Sequence, residues 1–150
     1  EFRRVLFRSI TKALMRDGKI VDQIKPKKIR RVISKKTSQQ MMEILKFVVK
    51  NGTGKNAAVE GFDVAGKTGT AQKFITRTQS YSKTEFVSSF IGYAPADAPR
   101  LVILVMIDNP KGVHWGSVVA APVFREIAKK SLRYLNVPSS EERVFILDRA

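Results

Sequence analysis

The sequence predicts an α+β fold, an antiparallel sheet flanked by helices. Three observations carry this. A stripe of apolar residues at helical spacing lies near residues 37–50. Three strand-like runs then follow one another between residues 62 and 108. A second helical stripe closes the order at about residues 118–136. Strands that follow one another through short connections pair antiparallel, whereas a parallel sheet needs a long crossover between each pair.

Taken in order, the first signal is Asp17-Gly18, a turn dipeptide between Ile10–Met15 and Lys19–Ile24, which predicts two short strands in a hairpin. Pro26 and the basic run Lys27–Arg31 lead to the first helix. Thr37 and Gln40 have the spacing of a capping box, and Met41, Ile44, Leu45 and Val48 recur at helical intervals. Asn51-Gly52 stops that helix, the glycine being able to take the left-handed conformation. A loop, Thr53–Gly61, follows.

The three strands are Phe62–Lys73, Phe86–Tyr93 and Leu101–Asp108, the last two joined by the proline-punctuated turn Ala94–Arg100. Leu101–Ile107 is apolar at every position, which predicts a central strand covered on both faces, one helix to each. After the loop Asn109–Ser117, the final helix runs from about Val118 to Asn136. Its apolar stripe is Phe124, Ile127, Ala128, Ser131, Leu132 and Leu135, with Arg125, Lys129, Lys130 and Arg133 largely opposite.

Composition bounds what such a domain could do. One hundred and fifty residues, 43% hydrophobic, suit one ordinary domain with a packed core. LVILVMI, the longest aliphatic run, is far short of the roughly 20 residues of a membrane span. No membrane anchor or signal peptide is expected within this stretch. The absence of cysteine excludes disulfides and thiolate metal sites, and the single histidine, His114, excludes a multi-histidine one. Next to Trp115 in a glycine-bearing loop, His114 reads as structural or solvent-facing. No metal or cofactor is expected.

The formal net charge of +15 is uneven: residues 1–60 carry 16 Lys and Arg against 5 Asp and Glu. A basic first part can serve nucleic acid or an anionic surface. The plainer reading is a solvated face together with a non-native tail. EFRRVLFRS, residues 1–9, opens as a translated cloning site would and has neither a secretory layout nor an amphipathic period. Residues 1–9 are therefore set apart as a scar, residues 10–138 as the domain, and residues 139–150 as a peripheral tail. A nucleic-acid site would interleave aromatic residues with the charge, and Lys25–Lys36 contains none, so no specific nucleic-acid partner is expected.

The candidate site is VAGKTGTAQK, starting at Val64. Strand alternation puts Lys67 and Gly69 on one face and Thr68 and Thr70 on the other. Threonine hydroxyls and an ammonium suit a carboxylate held by charge-assisted hydrogen bonds, and a free strand edge can pair with an extended peptide. The four residues together describe a cradle for a peptide-like anion. They equally describe an edge strand with a solvated Lys67 and a bulge at Gly69.

The surrounding sequence separates the two. Lys67-Thr68-Gly69 matches the K-T-G triplet of penicillin-binding proteins and serine β-lactamases. GTGKNAAVEGFDVAGKTGTAQK, FVSSFIGYAPADAPRLVILVMIDNP and VVAAPVFREIAKKSLRYLNVP, in that order, resemble the C-terminal end of a class B, division-type penicillin-binding protein, over roughly residues 30–138. The resemblance implies a serine D,D-transpeptidase domain that cross-links peptidoglycan stem peptides ending in D-Ala-D-Ala and binds β-lactam antibiotics. It implies that Lys67 lines the active site, that the Thr68 and Thr70 hydroxyls grip the substrate carboxylate beside Gly69, and that the Thr70 backbone N–H is one oxyanion-hole donor. It further implies a parent anchored in the bacterial cytoplasmic membrane, this domain extracytoplasmic (periplasmic), with division-machinery membrane proteins as partners.

The departures from that pattern matter as much. The family's nucleophile lies in an S-x-x-K motif well upstream of the triplet, with S-x-N between them. Here Ser9–Lys12 straddles the suspected scar, and Ser80–Lys83 lies just past Lys67 in an expected loop. No S-x-N occurs, and Tyr134-Leu135-Asn136 is on the wrong side of the triplet. The expectation is a fragment with the substrate-gripping strand but no nucleophile, inactive alone. The alternatives from other classes are a basic nucleic-acid-binding module and a noncatalytic binder of peptidoglycan peptides. Gly52-Thr53-Gly54-Lys55 imitates a phosphate loop, but Asn56 follows the lysine and the first glycine is misplaced.

Overall fold

The computed structural model describes residues 13–17, 19–23 and 30–140, which fall into two units divided along the chain between Met41 and Met42. Residues 1–9 lie outside the described residues, as do 141–150 of the expected tail.

In the first unit, β1 (Ala13–Arg16) and β2 (Lys19–Gln23) pair antiparallel as expected, with Met15 opposite Ile20 and Arg16 opposite Lys19. Asp17 takes φ 51°, a left-handed turn conformation that a short polar side chain tolerates. The hairpin's expected outer residues, 10–12 and 24, lie outside the described residues.

Helix α1 (Lys35–Asn51) begins in the first unit and continues into the second. Its cap is not the expected one. The Ser34 hydroxyl accepts the Thr37 backbone N–H at 3.0 Å and meets the Thr37 hydroxyl at 2.8 Å. Ser34 is thus the N-cap, and the Thr37–Gln40 pair lies inside the helix. The apolar face is also displaced. Met42 and Leu45 pack against Ala65, Tyr93 and Ala96, and Val49 is buried, while Met41, Ile44 and Phe47 are exposed. At the C-terminus Gly52 is not left-handed. It lets the chain fold back on the last turn, and a Cβ there would stand 3.0 Å from Val48 O. The Gly52 and Gly54 N–H groups both reach that oxygen at 3.0 Å.

A single 3-10 turn, Lys55–Ala57, leads into a sheet with strand order β3-β4-β5: β3 (Ala65–Ile75), β4 (Ser80–Ala94) and β5 (Leu101–Asp108). Both pairings are antiparallel, so the expected α+β class and its sheet stand. β4 is longer than expected because β3 and β4 extend through a polar hairpin tip in which Phe74 meets Tyr81 edge-on at 5.4 Å. Ser80–Lys83 therefore lies on a strand rather than in a loop. Ser82 is buried, its hydroxyl accepting the N–H groups of Thr84 and Glu85.

The expected final helix is two: α2 (Gly116–Val119) and α3 (Ala121–Tyr134), with Pro122 in the first turn of α3, where its missing N–H costs no hydrogen bond. Phe124, Ala128 and Leu132 of α3 pack on the sheet face formed by Phe90, Ala94 and Val105, and the rings of Phe90 and Phe124 lie 4.8 Å apart. Both rings are fully buried, worth about 1.5–3 kcal/mol each. The opposite face departs from expectation. α1 covers only the end near Ala65 and Tyr93, and Val102, Leu104 and Met106 are 63%, 55% and 62% exposed. Among the described residues β5 is thus an edge strand with one covered face. No described helix is long and apolar enough to cross a membrane.

Candidate functional site

Register decides which way each residue of the Lys67–Thr70 stretch points. Lys67 pairs with Ile91, Thr68 with Phe90, Gly69 with Ser89 and Thr70 with Ser88. Phe90 lies on the α3 face, so Thr68 and Thr70 project to that side. Lys67 and Gly69 project to the other, as strand alternation predicts.

Backbone direction follows from Gly116, the first residue of α2, which lies against this pairing. A Cβ at Gly116 would stand 2.6 Å from Gly69 O and 2.4 Å from Ser89 O. Both carbonyls therefore point into the β3–β4 interface, which makes Gly69 and Ser89 a hydrogen-bonded pair. Alternation then turns the N–H and C=O of Thr68 and Thr70 to the open edge of β3. Thr68 O accepts a hydrogen bond from Lys67 Nζ at 3.2 Å, in keeping with this.

The side chains gather along the same edge. Lys67 Nζ also donates to Thr68 Oγ1 at 3.3 Å, so the ammonium curls round the edge from the opposite face. Thr68 Oγ1 lies 3.2 Å from Thr53 Oγ1, and Thr70 Oγ1 accepts the Gly116 N–H at 3.2 Å. Lys67 and Thr70 are exposed; Thr68 and Gly69 are half-buried. No bulge occurs at Gly69, because the β3–β4 register shifts only beyond Gln72. Gly69 is instead a close approach: a Cβ there would stand 2.6 Å from Ser89 Oγ.

Two loops brace the edge from the α3 side. The Thr53–Asn56 stretch provides the Thr53 hydroxyl and sends Asn56 Nδ2 to Ser117 O at 2.7 Å. The 114–117 stretch is held by a hydrogen bond from the buried Ser88 hydroxyl to His114 O, while the His114 ring stacks on Phe86 at 3.9 Å. His114 is thus packed in the loop that carries Gly116. From the sequence, Ser88 and Gly116 were not singled out, and Thr53 and Asn56 drew notice only around an imitation phosphate loop. The signal available for two of them was the closely spaced glycines Gly52 and Gly54 and the isolated Gly116, since a glycine outside a tight turn marks a close backbone approach.

Chemically, the edge offers one ammonium, two hydroxyls and outward backbone N–H groups along a few ångströms of extended chain. That is a site for an anion at the end of a strand-like ligand. A separate concavity of about 630 Å³, lined by Glu43, Lys46, Phe47, Phe62 and Asp63 among others, lies between α1 and residues 58–64. Lys46 there bridges Asp63 at 3.0 Å and Asp97 at 3.1 Å.

The model of the penicillin binding protein transpeptidase domain matches residues 6–129. Stage V sporulation protein D of Bacillus subtilis is 47% identical over 116 residues, 77% of this chain and 18% of that protein. A probable peptidoglycan D,D-transpeptidase, PenA of Neisseria flavescens, is 43% identical over 110 residues, 72% of this chain and 27% of that protein. Among solved structures, penicillin binding protein 3 from Mycobacterium tuberculosis in complex with ampicillin superposes with a TM-score of 0.71 at 38% identity, covering 83% of this chain and 29% of that one. The chain therefore spans less than a third of the length of each of these relatives.

Proposed function

The chain belongs to the penicillin-binding protein transpeptidase domain family, and from that premise we propose that it supplies the substrate-holding edge of a peptidoglycan D,D-transpeptidase acting in cell division. The ligand is a stem peptide ending in D-Ala-D-Ala, or a β-lactam in its place. Lying along the open edge of β3, it presents its terminal carboxylate to the hydroxyls of Thr68 and Thr70 and to the Lys67 ammonium. Gly69 keeps the strand narrow beside it.

In the proposed reaction a serine oxygen bonds to the penultimate D-Ala carbonyl. The carbonyl oxygen takes up negative charge, and the outward N–H of Thr70 is one of its two donors. Such a donor is worth about 2.7–4 kcal/mol in the transition state. The bond to the terminal D-Ala then breaks, and that residue leaves as an amine carrying the proton given up by the serine. The amine of a neighbouring stem peptide attacks the ester, forms the cross-link and frees the serine. Lys67 contributes positive charge beside these steps.

The serine is assigned to chain beyond these residues. Ser80 pairs with Ile75 at the hairpin tip, eight residues along β3 from Lys67, and its hydroxyl meets that of Thr78 at 2.9 Å. Ser82 is buried with its hydroxyl engaged, and Ser88 is committed to His114 O. We also assign to the longer protein a membrane anchor, an extracytoplasmic site for this domain and division-machinery membrane partners.

The observation that carries the reading is the convergence of Lys67 Nζ, Thr68 Oγ1 and Thr70 Oγ1 on one open strand edge. The test is a chimera in which residues 30–138 replace the matching segment of the Mycobacterium tuberculosis relative, labelled with a fluorescent penicillin. The chimera should label covalently, Thr70→Val should slow labelling, and Lys67→Met should slow it further. The 150-residue chain alone should not label. A chimera that labels at the same rate after both substitutions overturns the reading.

A further inference from the structure

Resting on the carboxylate-holding role of Thr70 just proposed, we propose that Gly116 is a positioning residue of the same edge: its N–H fixes the Thr70 hydroxyl as a hydrogen-bond donor toward the bound carboxylate. A hydroxyl has one hydrogen to give and two lone pairs to receive with. The Gly116 N–H occupies one lone pair of Thr70 Oγ1 at 3.2 Å. The hydroxyl hydrogen is thereby left for another acceptor, and Thr70 is exposed to meet one. A hydroxyl that accepts from an N–H is also a stronger donor, since the two bonds polarise each other.

The residue type follows from where Gly116 lies. It sits against the backbone of the Gly69–Ser89 pair, and any Cβ would stand 2.4 Å from Ser89 O and 2.6 Å from Gly69 O. Both atoms are backbone and cannot swing aside, so a side chain at 116 must lift the N–H away from Thr70. The approach is held on both sides. Ser88 grips His114 O, two residues before, and Asn56 grips Ser117 O, one residue after. Two hydrogen bonds, one on each side of Gly116, thus serve the placement of one N–H.

The chimera described above tests this with a double-mutant cycle on penicillin acylation. Thr70→Val should slow acylation roughly 10- to 100-fold and Thr70→Ser by less than about threefold, since serine keeps the hydroxyl. Gly116→Ala should slow it about tenfold in the unmodified background and less than about twofold beside Thr70→Val, because its effect passes through that hydroxyl. Acylation by a penicillin whose carboxylate is masked as a methyl ester should not respond to Gly116→Ala, whereas a merely structural defect would slow both ligands alike. In the ¹⁵N-labelled 150-residue chain, the Gly116 amide should exchange slowly with Thr70 or Ser at position 70 and rapidly with Val.

Equal slowing by Gly116→Ala in both backgrounds, or unchanged Gly116 exchange in Thr70→Val, overturns the positioning role. Acylation that ignores Thr70→Val instead overturns the carboxylate-holding role on which it rests.

Discussion

The ring of Phe90 fills the space that a side chain at Gly66 would need: a Cβ at Gly66 would stand 2.6 Å from Phe90 Cζ and 2.7 Å from Ile91 O. Phe90 is fully buried beneath α3 and Ile91 O is backbone, so neither can give way. Gly69, three residues on, is confronted within 3 Å only by Ser89 Oγ, the end of a small rotatable side chain. Gly66→Ala should therefore cost at least about 2 kcal/mol, an overpacked core. Gly69→Ala should lie within about 1 kcal/mol of the unsubstituted chain, because the Ser89 hydroxyl swings away and the unfolded chain loses entropy. Urea unfolding of the two variants checks the difference; equal costs would contradict it.

The same register explains what was legible in the sequence. The alternation that separates Lys67 and Gly69 from Thr68 and Thr70 depends only on extended backbone, and it holds. The span of β5 was legible because four of the seven residues of Leu101–Ile107 are β-branched and turn residues bound the run on both sides. Its surroundings were not. An all-apolar strand reports that both faces want cover, but not whether the described chain provides it, and Val102, Leu104 and Met106 lie open. The hairpin tip between β3 and β4 escaped because its strands are polar and held by cross-strand backbone pairing, which leaves no hydrophobic period. Gly116 escaped for another reason. Its contact with Thr70 spans 46 residues, and nothing local marks either as the other's partner.

The N-terminus of α1 offers a direct comparison of two candidate caps. Ser34 accepts the Thr37 N–H and satisfies a donor that no helical carbonyl can reach, whereas the Thr37 hydroxyl contacts only Ser34 itself. Ser34→Ala should cost about 1 kcal/mol. Thr37→Ala, which trades a β-branched residue for the best helix former, should cost no more than a few tenths. Thermal unfolding followed by circular dichroism separates the two, and the reverse ranking would restore Thr37 as the cap.

The uncovered sheet face predicts how the isolated chain behaves in solution. Ile91, Val102, Leu104 and Met106 form an apolar area on neighbouring strands, and β5 beside it has no partner on its far side among the described residues. Leu104→Thr introduces a β-branched strand former while removing apolar surface already in water. It should change unfolding free energy by less than about 0.5 kcal/mol, yet lower the weight-average mass seen by light scattering at high concentration. Unchanged self-association would mean that this face is not the one that sticks.

Lys46 predicts a pH dependence whose sign can be worked through. Burial alone would lower its pKa, but hydrogen bonds and charge attraction from Asp63 and Asp97 outweigh that and hold it above its ordinary 10.5. A cation raised in this way stabilises the fold in full below the unfolded value. Its contribution disappears as pH rises through the higher folded value. Tyr93, raised first by burial and then by Glu43, acts in the same direction, as does Lys73 through its hydrogen bond to Asp108, so the chain as a whole should weaken in alkali. Lys46→Met removes the first contribution and leaves Lys73 in place; it also removes the positive charge that partly offsets the rise at Tyr93. Both aspartates are about half exposed, so the loss near pH 8 should be modest, about 0.5–1 kcal/mol. The gap between variant and unsubstituted chain should close above pH 10.5 as Lys46 loses its proton. Urea unfolding at several alkaline pH values measures that gap, and one that stays constant would mean that the charge on Lys46 is not what stabilises.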